Sequence, residues 1–319
     1  SAVTITEPPA LGISSVEQVD VLCNGDNTGS FTITATGGTT PYLYSNDGVD
    51  YQSSSQFKNL EAGTYSTMIK DDNNCSLTGS DVVITEPDLL QSSITSKTNV
   101  VCEGENSGSF EIAASAGTSP YQYSLDGGTT NQSSGVFADL ATGPYDVTIT
   151  DANGCSLVHP DIEITEPPAL AADTSITHVT CFGASTGAID LIPSGGTPFT
   201  IGEGYVYAWT GPDSYSAATQ DISGLAAGDY NVTVTDSTGC SAVFGPFTVE
   251  ENPEITLSVI SSTNLLCNGD ENGTANITVS GGTGSYSYAW TGQNTGKTSD
   301  VEDPADLPAD IYDLVITDG

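Results

Sequence analysis

Leu140, Ala141, Thr142, Gly143, Pro144, Tyr145, Asp146, Val147, Thr148, Ile149, Thr150, Asp151, Ala152, Asn153, Gly154, Cys155 is the stretch that decides the fold, because it recurs. The same frame returns as Leu60, Gly63, Tyr65, Ile69, Asp71, Cys75 and as Leu225, Gly228, Tyr230, Val232, Val234, Asp236, Gly239, Cys240. A fourth copy runs through Leu307, Tyr312, Leu314, Ile316 and Asp318 and breaks off at Gly319 before its cysteine. In each copy apolar and polar residues alternate after the tyrosine and stop at an Asp turn, which is the pattern of a strand with one buried face. A tyrosine two residues after a glycine and five after a leucine resembles a tyrosine corner, in which the phenol bonds back to the main chain. Tyr65, Tyr145, Tyr230 and Tyr312 are the four candidates; Asp310 stands where the other copies have glycine.

The first cysteines, Cys23, Cys102, Cys181 and Cys267, are spaced 79, 79 and 86 residues apart, so the 319 residues divide into units of roughly 80. The expected boundaries are 1–8 as the last strand of a preceding repeat, then 9–87, 88–167, 168–253 and a truncated 254–319. Ser1 to Pro8 carry Val3, Ile5, Glu7 and Pro8 in the pattern that closes the first two complete repeats at Glu86-Pro87 and Glu166-Pro167. Opening on Ser1 and breaking in mid-repeat, the chain reads as a segment of something longer. Along each unit come a Cys-x-Gly turn, an alternating strand such as Phe31, Ile33, Ala35, a Gly-Gly stop, two aromatics two apart, a hairpin turn such as Asn46-Asp47-Gly48, the tyrosine strand and a closing strand. About seven strands per unit, with no amphipathic helical run, indicate an all-β fold: a tandem array of Ig-like or fibronectin-like β-sandwiches.

Forty-one acidic residues against four lysines and no arginine give a formal charge of −37. Phosphate neutralisation needs Lys and Arg, so nucleic acid is excluded as a partner and an anionic membrane surface is disfavoured. No stretch approaches a membrane span, so no membrane insertion is expected in this segment. The acidity reads as self-repulsion that keeps an array soluble and extended.

The order Cys-x-Gly, Gly-Gly, Pro-Tyr-x-Tyr, Leu-x-x-Gly-x-Tyr, Asp-x-x-Gly-Cys and Thr-Glu-Pro resembles the SprB repeat of giant surface adhesins in Bacteroidetes gliding motility. The likeness covers nearly the whole chain. It departs at Ala116-Gly117 and at the insertion between Pro198 and Tyr205. The resemblance implies type IX export, display outside the cell at its surface, and a role as length within a larger molecule.

Catalysis needs a nucleophile, base or metal held in one place, and none is legible. His159 and His178 occupy non-equivalent positions and read as surface residues. The four lysines are out of register, which excludes a repeated Lys-Asn isopeptide, and the Asn-x-Ser/Thr patterns scatter over the frame. Seven cysteines read as three pairs and one orphan, Cys267. Within-repeat pairing is the favoured expectation: Cys23 with Cys75, Cys102 with Cys155, Cys181 with Cys240. An odd number of strand passes between the two cysteines would instead place them at opposite ends of a sandwich and favour bonds between neighbours, such as Cys23 with Cys155. Calcium is the one metal to weigh, with Glu86, Asp88, Asp151 and Glu166 as candidate ligands at junctions and loops; the aspartates that open turns are equally accounted for by their own backbone bonds. No other cofactor is expected.

These readings point to a non-enzymatic stalk segment, a rod on the order of 100 Å or more, whose partners are neighbouring repeats of the same chain. A subunit of a self-assembled fibre or hook is the second reading. A third is a binding module for surface glycans, and exposed coplanar rings at Tyr205, Tyr207, Trp209 and Tyr286, Tyr288, Trp290 would favour it, whereas buried ones favour the stalk.

Overall fold

The computed structural model describes residues 2–319; Ser1, part of the 1–8 segment, lies outside them. The chain is all-β, built of Ig-like sandwiches in tandem, and divides into two compact units, Ser1–Glu166 and Pro167–Gly319. Each unit holds two repeats.

The second repeat shows the plan most simply. One sheet places strand Gly108–Ser115 between Gln91–Thr98 and Val136–Leu140; the other places Gly143–Thr150 between Gln122–Ser124 and Ser156–Ile164. All pairings are antiparallel. The period of two sends Phe110 and Ile112 inward from one sheet and Val147 and Ile149 from the other, and with Tyr123, Phe137, Leu140, Ile162 and Ile164 they form one core. That is six strands where about seven are expected. In the first repeat the last two strands are each interrupted, as Gly63–Tyr65 with Met68–Lys70 and Ser76–Thr78 with Val82–Ile84. The third gains a short strand, Ser216–Ala217, after its insertion, which reaches seven.

The core of the first repeat (Val21, Phe31, Ile33, Ile69, Ile84) and that of the third (Ile189, Trp209, Val232, Val234, Val249) repeat the plan. The fourth consists of the pair Thr256–Thr263 and Thr274–Ser280 and the sheet Thr298–Ser299, Tyr286–Gly292, Tyr312–Asp318, with Ile277, Trp290 and Leu307 among its buried apolar residues.

Tyrosines fasten the sandwiches. The hydroxyls of Tyr65, Tyr145, Tyr230 and Tyr312 donate to the carbonyls of Glu61, Ala141, Ala226 and Pro308, each four residues upstream, at 2.9, 3.0, 3.0 and 3.0 Å. A second set was not foreseen. The first tyrosine of each aromatic pair, Tyr42, Tyr121, Tyr205 and Tyr286, donates to the carbonyl of the Gly or Ala at the end of the preceding strand: Gly37, Ala116, Gly195 and Gly281. The rest of each aromatic cluster packs inward: Tyr207, Trp209 and Trp290 are buried, while Tyr205, Tyr286 and Tyr288 are half-buried.

Candidate functional site

Each sandwich has two poles, and the chemistry-bearing residues gather at them. At the entry pole, the aspartate that ends the tyrosine strand is almost wholly buried: Asp71 is 4%, Asp151 5% and Asp236 2% exposed. One carboxylate oxygen of Asp151 accepts the N–H groups of Asn153 and Cys155, both at 2.9 Å, and the other reaches across to the N–H of Thr118 at 2.9 Å. Asp71 does the same with Asn73, Cys75 and Thr39, and Asp236 with Thr238, Cys240 and Thr197. A buried carboxylate is tolerable only when it is hydrogen-bonded this fully. Burial pushes the Asp71 carboxyl up, but the N–H donors of Thr39, Cys75 and Asn73 outweigh it and hold it below its usual value; Asp236 follows the same balance.

The glycine before each of these threonines has to be glycine. Gly38 has φ +58°, and a Cβ there would stand 2.9 Å from Leu11 Cδ1 and 3.0 Å from Asp71 Oδ2. Its N–H donates to Pro9 O, as Gly117, Gly196 and Gly282 donate to Asp88, Pro168 and Pro253, so each linker is tied to the repeat that follows it.

At the exit pole, the Cys-x-Gly turn is held by the glutamate that follows the closing strand, in Thr-Glu-Pro in the first two repeats and in Glu250-Glu251-Asn252-Pro253 in the third. Gly25, Gly104 and Gly183 donate their N–H to Oε2 of Glu86, Glu166 and Glu251 at 2.6, 2.9 and 2.8 Å. Asn24 Nδ2 adds a bond to Pro87 O at 3.0 Å. The linker therefore bonds backwards through its glutamate and forwards through its following carbonyl.

The two poles meet in the first compact unit. Cys23, on the exit turn of the first repeat, is bonded to Cys155, on the entry turn of the second, with Cα atoms 5.6 Å apart and 132 residues between them in sequence. Asn153 Nδ2 donates to Leu22 O at 2.9 Å beside the bond. This corrects the favoured within-repeat pairing: Cys23 does not join Cys75, nor Cys102 Cys155, nor Cys181 Cys240, because Cys75 and Cys181, like Cys267, are free and exposed. Cys102 and Cys240 are disulfide-bonded as well.

The physical reason is a count of passes. Between Cys23 and Cys75 the chain crosses the sandwich along Gly29–Thr36, Leu43–Ser45, the return carrying Gln52, Gln56–Leu60 and the Gly63–Lys70 pass. Five passes put the two cysteines at opposite poles. The return is short, bridged only at Tyr44 and Gln52, which is why four passes were as readable as five.

The calcium candidates are placed by the same geometry. Glu86 and Glu166 hold glycine N–H groups, Asp151 holds the entry turn, and Asp88 gives its backbone carbonyl to Gly117. A cleft of about 360 Å³ beside the disulfide brings Asp26, Asp88 and Asp151 into one lining. Among the described residues no group of three or more His, Cys, Asp or Glu side chains could hold a metal ion. His159 Nδ1 lies 2.8 Å from Ser92 Oγ, and His178 Nδ1 accepts the N–H of Glu250. Asn153, Glu251 and the threonines after the Gly-Gly step were missed from sequence, although Thr39, Thr118, Thr197 and Thr283 recur in frame.

Among solved structures, three N-terminal domains of the bacteriophage RB49 Hoc capsid protein are 16% identical, with 67% of this chain and 78% of that one covered and a TM-score of 0.30. The tetra-tandem repeat in the extending region of a large adhesion protein is 13% identical, covering 94% and 89%, with a TM-score of 0.29. A Dscam isoform structure is 10% identical, covering 97% and 92%, with a TM-score of 0.24. No curated protein matches the chain. The SprB repeat model matches residues 15–49, 94–130, 174–214 and 259–295, each window running from the first strand through the Cys-x-Gly turn to the aromatic pair and beyond. The SprB repeat is thus detected in four successive segments of the chain, one in each of its repeats.

Proposed function

We propose that this array is a load-bearing stalk segment of a large exported cell-surface adhesin, holding a binding region away from the cell. The observation that carries the reading is the Cys23–Cys155 bond, which fastens one repeat to the next rather than closing a repeat on itself. A bond placed there resists separation of neighbours, which is what an extending region under tension requires. Burial of Tyr207, Trp209 and Trp290 leaves no stacked aromatic platform for a sugar at those positions, so the stalk is favoured over a glycan module. Disulfides fit an oxidising, extracellular setting. Among the described residues no helix is long and apolar enough to cross a membrane.

Single-molecule stretching tests it. Pulled from its ends, the oxidised chain should conceal the residues between Cys23 and Cys155, a separation of 132. Reduction should release about 450 Å of extra contour length for that bond, at roughly 3.3–3.6 Å per residue. Unfolding at forces of a few piconewtons with no change on reduction would overturn the load-bearing role. In the parent protein, deleting whole repeats should shorten the projection in a graded way; an all-or-none loss of attachment from one deletion would favour a binding module.

A further inference from the structure

The joint between the first and second repeats carries two Asn-Gly pairs, Asn24-Gly25 on the exit turn and Asn153-Gly154 on the entry turn. Asn-Gly is a chemically labile pair, because a glycine N–H meets no side chain as it closes on the neighbouring amide carbon. The entry turns of the three complete repeats read Asn73-Asn74-Cys75, Asn153-Gly154-Cys155 and Thr238-Gly239-Cys240, so of the three the second alone has the pair. Two further pairs, Asn268-Gly269 and Asn272-Gly273, belong to the fourth repeat.

At the joint the reacting groups are held by hydrogen bonds. Asn153 Nδ2 donates to Leu22 O at 2.9 Å and to Thr118 Oγ1 at 3.1 Å. The bond to Thr118 is a property of the repeat, since Asn73 makes the same bond to Thr39 at 3.0 Å. The bond to Leu22 crosses the joint and exists only while the two repeats are docked. Gly154 N–H, which would attack, donates to Asp151 O at 3.1 Å. Asn153 and Gly154 are exposed to water, so these bonds and not burial guard the pair. Asn24 is guarded differently. Its Nδ2 donates to Pro87 O and the N–H of Gly25 to Glu86 Oε2, both at the end of its own repeat, so undocking leaves that guard in place.

We propose that Asn153 is a modification site that records opening of this joint: it deamidates once the first repeat swings off the second, and the product does not rebuild the contact. In the step, Gly154 N attacks Asn153 Cγ; the N–Cγ bond forms as the Cγ–Nδ2 bond breaks, and Nδ2 leaves as ammonia with the proton from Gly154. Water then adds to one carbonyl of the cyclic imide and breaks its bond to the ring nitrogen, leaving Asp or its β-linked isomer at position 153. Either product has lost the donor to Leu22 O and turns a carboxylate toward that carbonyl, which repels it. It also adds a charge beside a cleft already lined by Asp26, Asp88 and Asp151. The β-linked isomer lengthens the main chain two residues before Cys155, in the turn whose N–H groups Asp151 holds. Closure of Cys23–Cys155 is impeded in both cases, so a reversible undocking becomes a permanent one. The proposal rests on bonds within the first compact unit and holds or fails independently of the stalk reading.

The test is peptide mapping by mass spectrometry of the 319-residue chain after incubation at mildly alkaline pH, reading the acid formed at each of the four Asn-Gly pairs. Oxidised wild type is compared with Cys23→Ser, which removes the tether across the joint and leaves the sequence around Asn153 intact. Deamidation of Asn153 should rise by roughly 5- to 30-fold in Cys23→Ser, the factor for a local closure weakened by one or two kcal/mol. Asn268 and Asn272 should keep their wild-type rates, and so should Asn24, read in Cys155→Ser. In a second arm, Asn153→Asp is reoxidised at a fixed ratio of reduced to oxidised glutathione. It should close Cys23–Cys155 less completely than wild type, with Asn153→Ala, which removes the donor without adding charge, between the two. Far-ultraviolet circular dichroism of each variant separates a weakened joint from a damaged fold. Asn153 deamidating equally fast in wild type and Cys23→Ser, Asn268 and Asn272 accelerating as much as Asn153, or a folded Asn153→Asp chain closing the bond as completely as wild type would each overturn the proposal.

Discussion

Glu86 reaches back 61 residues to accept the N–H of Gly25 at 2.6 Å, so the end of the first repeat holds in place the turn that presents Cys23 to the second. The same reach from Glu166 to Gly104 and from Glu251 to Gly183 makes this a rule of the repeat. It explains why Cys-x-Gly occurs with a glutamate after the closing strand, in Thr-Glu-Pro in two repeats and Glu-Glu-Asn-Pro in the third: the glycine N–H and the glutamate are two halves of one contact.

Glu86→Ala should therefore loosen the Cys23 turn without unfolding the sandwich. We expect a loss of about 1 kcal/mol in the first repeat, since the bond is charge-assisted but open to solvent. Slower formation of Cys23–Cys155 during oxidative refolding should accompany it, while Glu86→Gln, which keeps an acceptor, behaves close to wild type. Quenched refolding followed by peptide mapping with an acidic-residue protease reads both.

Removing the bond itself should be felt by two repeats. On the chain-entropy estimate, a loop spanning 132 residues is worth about 5 kcal/mol. Cys23→Ser should lower the melting of the first and second repeats together, and Cys155→Ser should reproduce it. A bond confined to one repeat would shift one transition. Calorimetry of a segment holding both repeats distinguishes the cases.

Acid should act through the entry-pole aspartates. Thr283 holds Asp318 below its usual value, and Asp71 and Asp236 are held low by N–H donors that outweigh their burial. A carboxyl lower in the folded than in the unfolded chain contributes stability that is complete above its unfolded pKa of about 4 and is lost as pH falls toward the folded value. Stability should thus be flat from neutrality to about pH 4 and fall below it. Asp71→Asn should flatten that fall for the first repeat while lowering its stability at neutral pH. Denaturant titrations at a series of pH values check the sign.

Tyr230 is buried, and its hydroxyl donates to Ala226 O at 3.0 Å. Tyr230→Phe keeps the ring and removes the bond, so a loss of about 0.5–1.5 kcal/mol is expected in the third repeat alone. Thermal melting of the variant, compared with Tyr145→Phe in the second repeat, measures it.

Much of this was legible in the sequence because it depends on local spacing. The period of two gave Phe110 and Ile112 their inward faces, and the recurrence of Asp71, Asp151 and Asp236 before a turn pointed to carboxylates bonded to their own backbone. Cysteine pairing was not legible in the same way. It turns on whether a short return, held by one bridge at Gln52, counts as a pass, and that single count moves Cys75 from one pole to the other. The role of Glu86 was hidden for a related reason: a glutamate beside a proline reads as a loop charge until the turn 61 residues earlier is seen to lie against it.

The offset of the disulfide sets a timetable. Cys23 meets its partner only after 132 further residues have appeared and the second sandwich has turned its entry pole toward the first. At a synthesis rate of about 5–20 residues per second, that is a wait of roughly 7–26 s, longer if the chain emerges slowly through a pore. During that interval the first repeat must stand folded with an open thiol, secured by its core, its tyrosines and Glu86. Oxidation at Cys23 is then expected to follow assembly from the N-terminus forward, and the bond to Cys155 records that the second repeat has arrived in register.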